Sequence, residues 1–136
     1  MKILEVMEKI KIESKEKNTT ELRVIKSHTV GKAIRQGDIY IHMVVADFPI
    51  GEIINTKQVV DGNSIGSRHI LDKDVIVYEG KELPKWVNIR WPLGKSFDVK
   101  NRSIVTHPEH AHISLPKGRY VVTHQMDMRS MQKVSD

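Results

Sequence analysis

Gly37-Asp38-Ile39-Tyr40-Ile41-His42-Met43-Val44-Val45-Ala46 is the stretch that decides the fold class. Gly-Asp is turn chemistry. The eight residues after it are rich in β-branched and apolar side chains and form the clearest strand in the chain. Pro49 and Gly51 end that strand, because proline removes a ladder donor and glycine favours a bend.

The same punctuation recurs on the C-terminal side. Glu52 to Val60 is β-like, and Asp61-Gly62-Asn63-Ser64 carries the strongest hairpin dipeptide of the sequence, Asp-Gly. Short strands are expected over Arg68–Leu71 and Asp74–Glu79, the latter closed by Gly80. Trp86-Val87-Asn88-Ile89-Arg90-Trp91 alternates with period two, which predicts a half-buried strand bracketed by Pro84 and Pro92. Gly94 to Arg102 reads as a loop. Strands are then expected at Ser103–His107, His112–Leu115 and Arg119–Met126, with Pro116-Lys117-Gly118 as a tight turn.

On the N-terminal side, Glu21 to Lys26 fits a short strand. Residues 1–20 form a helical or extended segment: Ile3, Met7 and Ile10 fit a helical stripe, whereas Ile10 and Ile12 fit a strand. Residues 127–136 have no clear period and are expected to be a flexible tail. Many short strands separated by Gly, Pro and Asp turns predict one mainly β domain over residues 21–126. Its architecture is expected to be a small barrel or sandwich, cupin-like in parts, with one N-terminal helix over an end or an edge.

The chain has 136 residues, enough for one domain. Aromatics are only 5%, so the core must rest on Ile, Val, Leu and Met. Cysteine is absent, which excludes disulfides, thiolate metal sites and cysteine nucleophiles. No apolar run approaches the ~20 residues of a membrane span. The first residues also lack a secretory pattern, so a cytoplasmic location with no membrane partner is expected. The formal charge of +5 favours acidic partners, either nucleic acid or an acidic protein. The charge is nevertheless dispersed: Lys9, Lys11, Lys15 and Lys17 alternate with Glu8, Glu13 and Glu16. Exposed strand edges offer a further class of role, a structural homo-oligomer.

The chemistry-bearing feature is histidine. Three of the seven fall within Thr106-His107-Pro108-Glu109-His110-Ala111-His112. On an extended strand His110 and His112 share a face, and Pro108 favours a turn that brings His107 back towards it. His69 can approach from a neighbouring strand. Imidazole is the commonest protein ligand for divalent metals, so His69, His107, His110 and His112 are the candidate ligands for Zn, Fe or Ni. Glu109 and His110 are the candidate catalytic pair for metal-assisted hydrolysis or oxygen chemistry. A metal-free acid–base pair, His69 with His110 or Glu109, fits the same residues. The spacing is neither HExxH nor a full cupin set, since no Glu follows the His110-Ala111-His112 pair. GxSxG and phosphate-loop patterns are missing, and Trp86, Trp91 and Tyr78 fit core or rim positions better than stacking platforms.

Three runs in order carry a resemblance: Arg35-Gln36-Gly37-Asp38-Ile39, Gly62-Asn63-Ser64-Ile65-Gly66-Ser67-Arg68-His69, and Thr106-His107-Pro108-Glu109-His110 continuing through Leu115-Pro116-Lys117-Gly118-Arg119-Tyr120 to Gln125. Together they resemble a group of small uncharacterised microbial and phage-type proteins. These carry an RQGD strand start, a GxxxGHxH-like turn and an HxEH…LPxGxYxVxxQxE ending. The resemblance spans residues 35–127 and implies no particular reaction. It singles out His69, His107, Glu109, His110, Gln125 and Asp127. Asp127 stands where the group has Glu, and Ser67 where it has the first histidine of an HxH pair.

Overall fold

The structure, a computed structural model, describes residues 21–62, 65–127 and 132–133. The helix expected within residues 1–20 lies outside them. The strands in chain order are β1 (Leu22–Val24), β2 (Ala33–Gln36), β3 (Ile39–Val44), β4 (Ile53–Ile54), β5 (Ile70–Leu71), β6 (Val75–Tyr78), β7 (Leu93–Thr106), β8 (His112–His124), β9 (Met126–Asp127) and β10 (Gln132–Lys133). A 3-10 turn at Ile65–Ser67 is the one helical element among the described residues.

The long hairpin of β7 and β8 is the spine. Strand order across the sheet is β2-β3-β8-β7-β6-β4, with β1 added to β8 and β5 to β7. Each half of the hairpin has its own flanking strands. β3 pairs with Arg119–His124 of β8, whereas β1 runs parallel to its start, Leu22 opposite His112. β6 pairs with Ser96–Val99 of β7, whereas β5 pairs with its end, Ile70 opposite Thr106. The order ends on two different strands, β2 and β4, so the sheet is not closed into a barrel. The mainly β class expected from the turn spacing is the one observed. Beyond β8, β10 pairs antiparallel with β9, Gln132 opposite Asp127 and Lys133 opposite Met126.

The spine shifts register twice, between Leu93 and Ser96 near the start of β7 and again near its middle. Val99 faces Gly118 and Arg102 faces Pro116, so β7 carries one more residue than β8 across this interval. This β-bulge switches the core face of β8 from the odd residues Ile113 and Leu115 to the even residues Tyr120 and Val122. β7 keeps Phe97, Val99 and Val105 on the core side throughout. The turn expected at Pro116-Lys117-Gly118 is therefore the part of one long strand that faces the bulge of β7. Gly118 has φ 156°, and the His28 ring lies against it: a Cβ here would overlap His28 Cδ2. His28 Nε2 also lies 2.9 Å from the Arg119 carbonyl, and the ring meets Tyr120 edge-on.

The core gathers Ile34, Ile39, Ile41, Met43, Val59, Leu71, Val77, Phe97, Val105, Ile113, Leu115, Tyr120 and Val122. Phe97 stacks on Tyr120 directly across the ladder at 5.1 Å. Each such buried side chain contributes about 1.5–3 kcal/mol. The Tyr120 hydroxyl donates to the Pro116 carbonyl at 2.5 Å, so the one polar atom of this pair is satisfied. On the opposite face, His42 Nε2 lies 2.8 Å from Thr123 Oγ1, while its Nδ1 has no hydrogen-bond partner among the described residues. Burial lowers the His42 pKa from 6.5 to about 4. Nearby, Arg119 grips both carboxylate oxygens of Asp98 at 2.7 and 2.9 Å, and its remaining nitrogen donates to the Phe48 carbonyl.

Two further expectations fail, one to local turn chemistry and one to strand pairing. Trp86–Trp91 is a pair of turns, because Val87 N–H donates to the Pro84 carbonyl and Trp91 N–H to the Asn88 carbonyl. The Asn88 side chain accepts from Arg90 N–H and completes an Asx turn that overrides the alternation. Gly94–Arg102, expected as a loop, lies inside β7, where pairing to β8 on one side and β6 on the other outweighs its polar composition.

Candidate histidine site over the β2–β3 turn

The turn between β2 and β3 is only Gly37-Asp38, since Gln36 pairs with Ile39. Gly37 takes φ 60°, the left-handed value that a two-residue hairpin asks of its first central residue. This tight end places Gln36 and Asp38 side by side, and both are buried, at 2% and 3% exposure. Gln36 lies on the face of β2 that also carries Ile34, so its amide enters the interior.

His69 arrives from the segment between the 3-10 turn and β5. Its carbonyl accepts from Val59 N–H at 2.9 Å, and the ring is fully buried. Nδ1 lies 2.7 Å from Gln36 Oε1, and Nε2 lies 3.3 Å from Asp38 Oδ1. The Gln36 amide is oriented by its other end: Nε2 donates to the carbonyls of Val105 at 3.0 Å and Ala111 at 2.8 Å. A flipped amide would set its oxygen against two carbonyl oxygens, so Oε1 must face His69. An oxygen acceptor there requires the proton of His69 to sit on Nδ1. Nε2 then meets a buried carboxylate, and two facing lone pairs in a dry site are repulsive, so a second proton lies between His69 Nε2 and Asp38 Oδ1.

His107 directly follows β7, two residues after Val105, and is 1% exposed. Its Nδ1 accepts from Glu109 N–H at 3.1 Å, so Nδ1 is unprotonated. The remaining proton is on Nε2, which lies 3.3 Å from the Gly66 carbonyl. His107 is thus a neutral ring of fixed tautomer. It is sandwiched between two others: the His69 centroid is 4.4 Å away and that of His110 is 4.7 Å away. The three imidazoles form a column from the core to the surface.

His110, at the outer end, is half-buried and lines an open cleft of about 380 Å³ with Arg23, Arg35, Gln36, Gly37 and Ala111. Arg35 is held by two neutral acceptors. Nε donates to the Gly37 carbonyl and Nη2 to Gln125 Oε1, both at 2.7 Å. The guanidinium also lies over the Tyr40 ring. Gln125 in turn donates its N–H to the Asp38 carbonyl at 2.8 Å.

The chain therefore brings His69, His107 and His110 together, as their spacing suggested. Their nitrogens do not point at one place: both nitrogens of His69 and both of His107 face protein partners. A metal ion would have to displace those partners. Among the described residues, no group of three or more His, Asp or Glu side chains is arranged to hold one. His112 opens β8, where its N–H donates to the Glu21 carbonyl. Glu109 is exposed and contributes its backbone N–H to the column.

Residues 35–125 match the family described as a domain of unknown function, DUF8820. The chain belongs to that family. No curated protein and no solved structure matches it. The DUF8820 segment opens at Arg35 and closes at Gln125, the two residues joined by the guanidinium–amide bond just described. It takes in the β2–β3 turn, His69 and the whole His107–His110 turn, and leaves out β1 with Arg23.

Sequence reasoning missed Gln36, Asp38, Arg35 and Arg23 as site residues. The signal for the first three was present in the Arg35-Gln36-Gly37-Asp38 run, which was readable only as a strand start. No helix among the described residues is long and apolar enough to cross a membrane.

Proposed function

We propose that this DUF8820 domain is a small-ligand site whose working group is the imidazole of His110. The observation that carries this is the column of rings ending in the cleft: of its three members, His110 lines the open volume, while His69 and His107 are buried. An imidazole at the mouth of a cleft can donate or accept a proton, and so serves a bound ligand as hydrogen-bonding partner or general acid–base group. His107, neutral and of fixed tautomer, gives His110 a rigid face to stack on. Gln36 and Asp38 in turn fix His69 beneath His107. Preorganisation of this kind spares a binding site the ordering cost at the moment of binding.

The experiment is amide and imidazole shift mapping on the nitrogen-15-labelled chain with a panel of neutral, cationic and anionic small molecules and with Zn²⁺. Saturable shifts at Gln36, His107, His110 and Ala111 that vanish in His110→Ala support the proposal. A panel that leaves these signals unmoved overturns it. So does Zn²⁺ binding that releases His69 and His107 from their protein partners, which would make the column a metal centre.

A further inference from the structure

The His110 cleft has two arginines on its wall, and their surroundings define what the cleft takes. Arg35 is fixed, but by a carbonyl and an amide oxygen, neither of which neutralises it. Its Nη1 has no hydrogen bond among the described residues. Arg23 is exposed on β1, and among the described residues no carboxylate pairs with it. No carboxylate of the described residues lines the cleft either. The Gln36 amide cannot serve as a donor there, because both its hydrogens are spent on Val105 and Ala111.

We infer that the cleft binds an oxyanion, a phosphate or carboxylate group carried by a small molecule, held between Arg23 and Arg35 with His110 as third partner. This rests on the His110 site proposed above and names its ligand class. A guanidinium matches two oxygens of such a group with parallel N–H donors, which an ammonium does not. The two arginines come from strands at different places in the sheet. β1 lies on the start of β8, and β2 lies at the sheet edge beyond β3. Arg35 is preorganised by Gly37, Gln125 and Tyr40, so little of its side-chain freedom remains to be lost on binding. Two positive charges facing a small volume with no carboxylate of the described residues on its wall raise the local anion concentration.

The test is titration of the full labelled chain with inorganic phosphate and, separately, acetate, against chloride at matched ionic strength. Saturable shifts of the His110 imidazole and the Arg35 Nε–H are expected with one or both anions. Arg23→Ala and Arg35→Gln should each weaken binding by about tenfold or more, with the remaining amide spectrum unchanged. Arg23 is exposed, so its variant reports binding even if Arg35→Gln disturbs the β2–β3 turn. The inference is overturned if neither anion produces a saturable shift, or if both variants bind as the parent does. It is also overturned if a single-stranded oligonucleotide binds where the small anions do not. A neutral compound that still shifts His110 would then leave the proposed site standing without its anion. Silence from every compound would remove both.

Discussion

His69 Nδ1 lies 2.7 Å from Gln36 Oε1, a contact between side chains 33 residues apart in sequence and both buried. Gln36 spends its whole amide on this task, joining His69 to the carbonyls of Val105 and Ala111 on either side of the His107–His110 turn. It is the link that ties three separate chain segments together. Gln36→Leu would remove the oxygen that faces the buried His69 imidazole and the two N–H donors to the Val105 and Ala111 carbonyls. A loss of about 2–4 kcal/mol is expected in chemical denaturation. A loss under about 0.5 kcal/mol, the size of an ordinary surface change, would contradict the role given to Gln36.

The proton between His69 and Asp38 is tested by Asp38→Asn. An asparagine can turn its amide N–H towards His69, which then needs only one proton, on Nδ1. His69 Nε2 is expected to be bare in the variant at neutral pH, whereas in the parent a proton lies between it and Asp38. Imidazole nitrogen-15 shifts distinguish the two states. Identical His69 shifts in both proteins would contradict the shared proton.

Gly118→Ala should destabilise the domain, through the positive φ of Gly118 and through the His28 ring beside it. The new methyl would overlap the His28 ring, far inside contact distance. Adding His28→Ala should restore part of the loss, because the ring that clashes is gone. A double-mutant cycle on thermal stability reads the coupling. Strictly additive effects would mean that backbone geometry at the bulge, rather than His28, excludes a side chain there.

His42 makes the fold acid-sensitive. Its pKa is lowered by burial from 6.5 to about 4, so the unfolded chain takes up a proton at this position before the folded one does. Stability is therefore expected to be retained above pH 6.5 and to fall as the pH drops from there towards 4. The slope from this group is at most about 1.4 kcal/mol per pH unit. His42→Leu removes the titrating group and should flatten the stability profile over that interval. An unchanged profile would assign the acid sensitivity elsewhere.

How legible all this was depended on range. The strand of Ile39–Val44 and its Gly37-Asp38 turn were readable because period and punctuation are local. The convergence of His69 with His107 and His110 was readable as a possibility, since a turn at Pro108 can bring a short run of histidines together. What was not readable was the direction of each ring nitrogen. That depends on Gln36, Asp38, Gly66 and the Glu109 N–H, which topology alone brings into reach. The same holds for the spine: Pro116-Lys117-Gly118 has the composition of a turn, and only pairing with Val99 and Arg102 keeps it inside β8, opposite the bulge of β7.

A long-range proton–nitrogen spectrum of the imidazoles at neutral pH, recorded with and without phosphate, bears most directly on the division between two buried rings and the one that lines the cleft. His107 should carry its proton on Nε2 with Nδ1 bare, His69 should hold a proton on Nδ1, and phosphate should move the His110 ring nitrogens while the tautomers of His69 and His107 stay as they are. A proton on His107 Nδ1, or a change of tautomer in all three rings together, would contradict it.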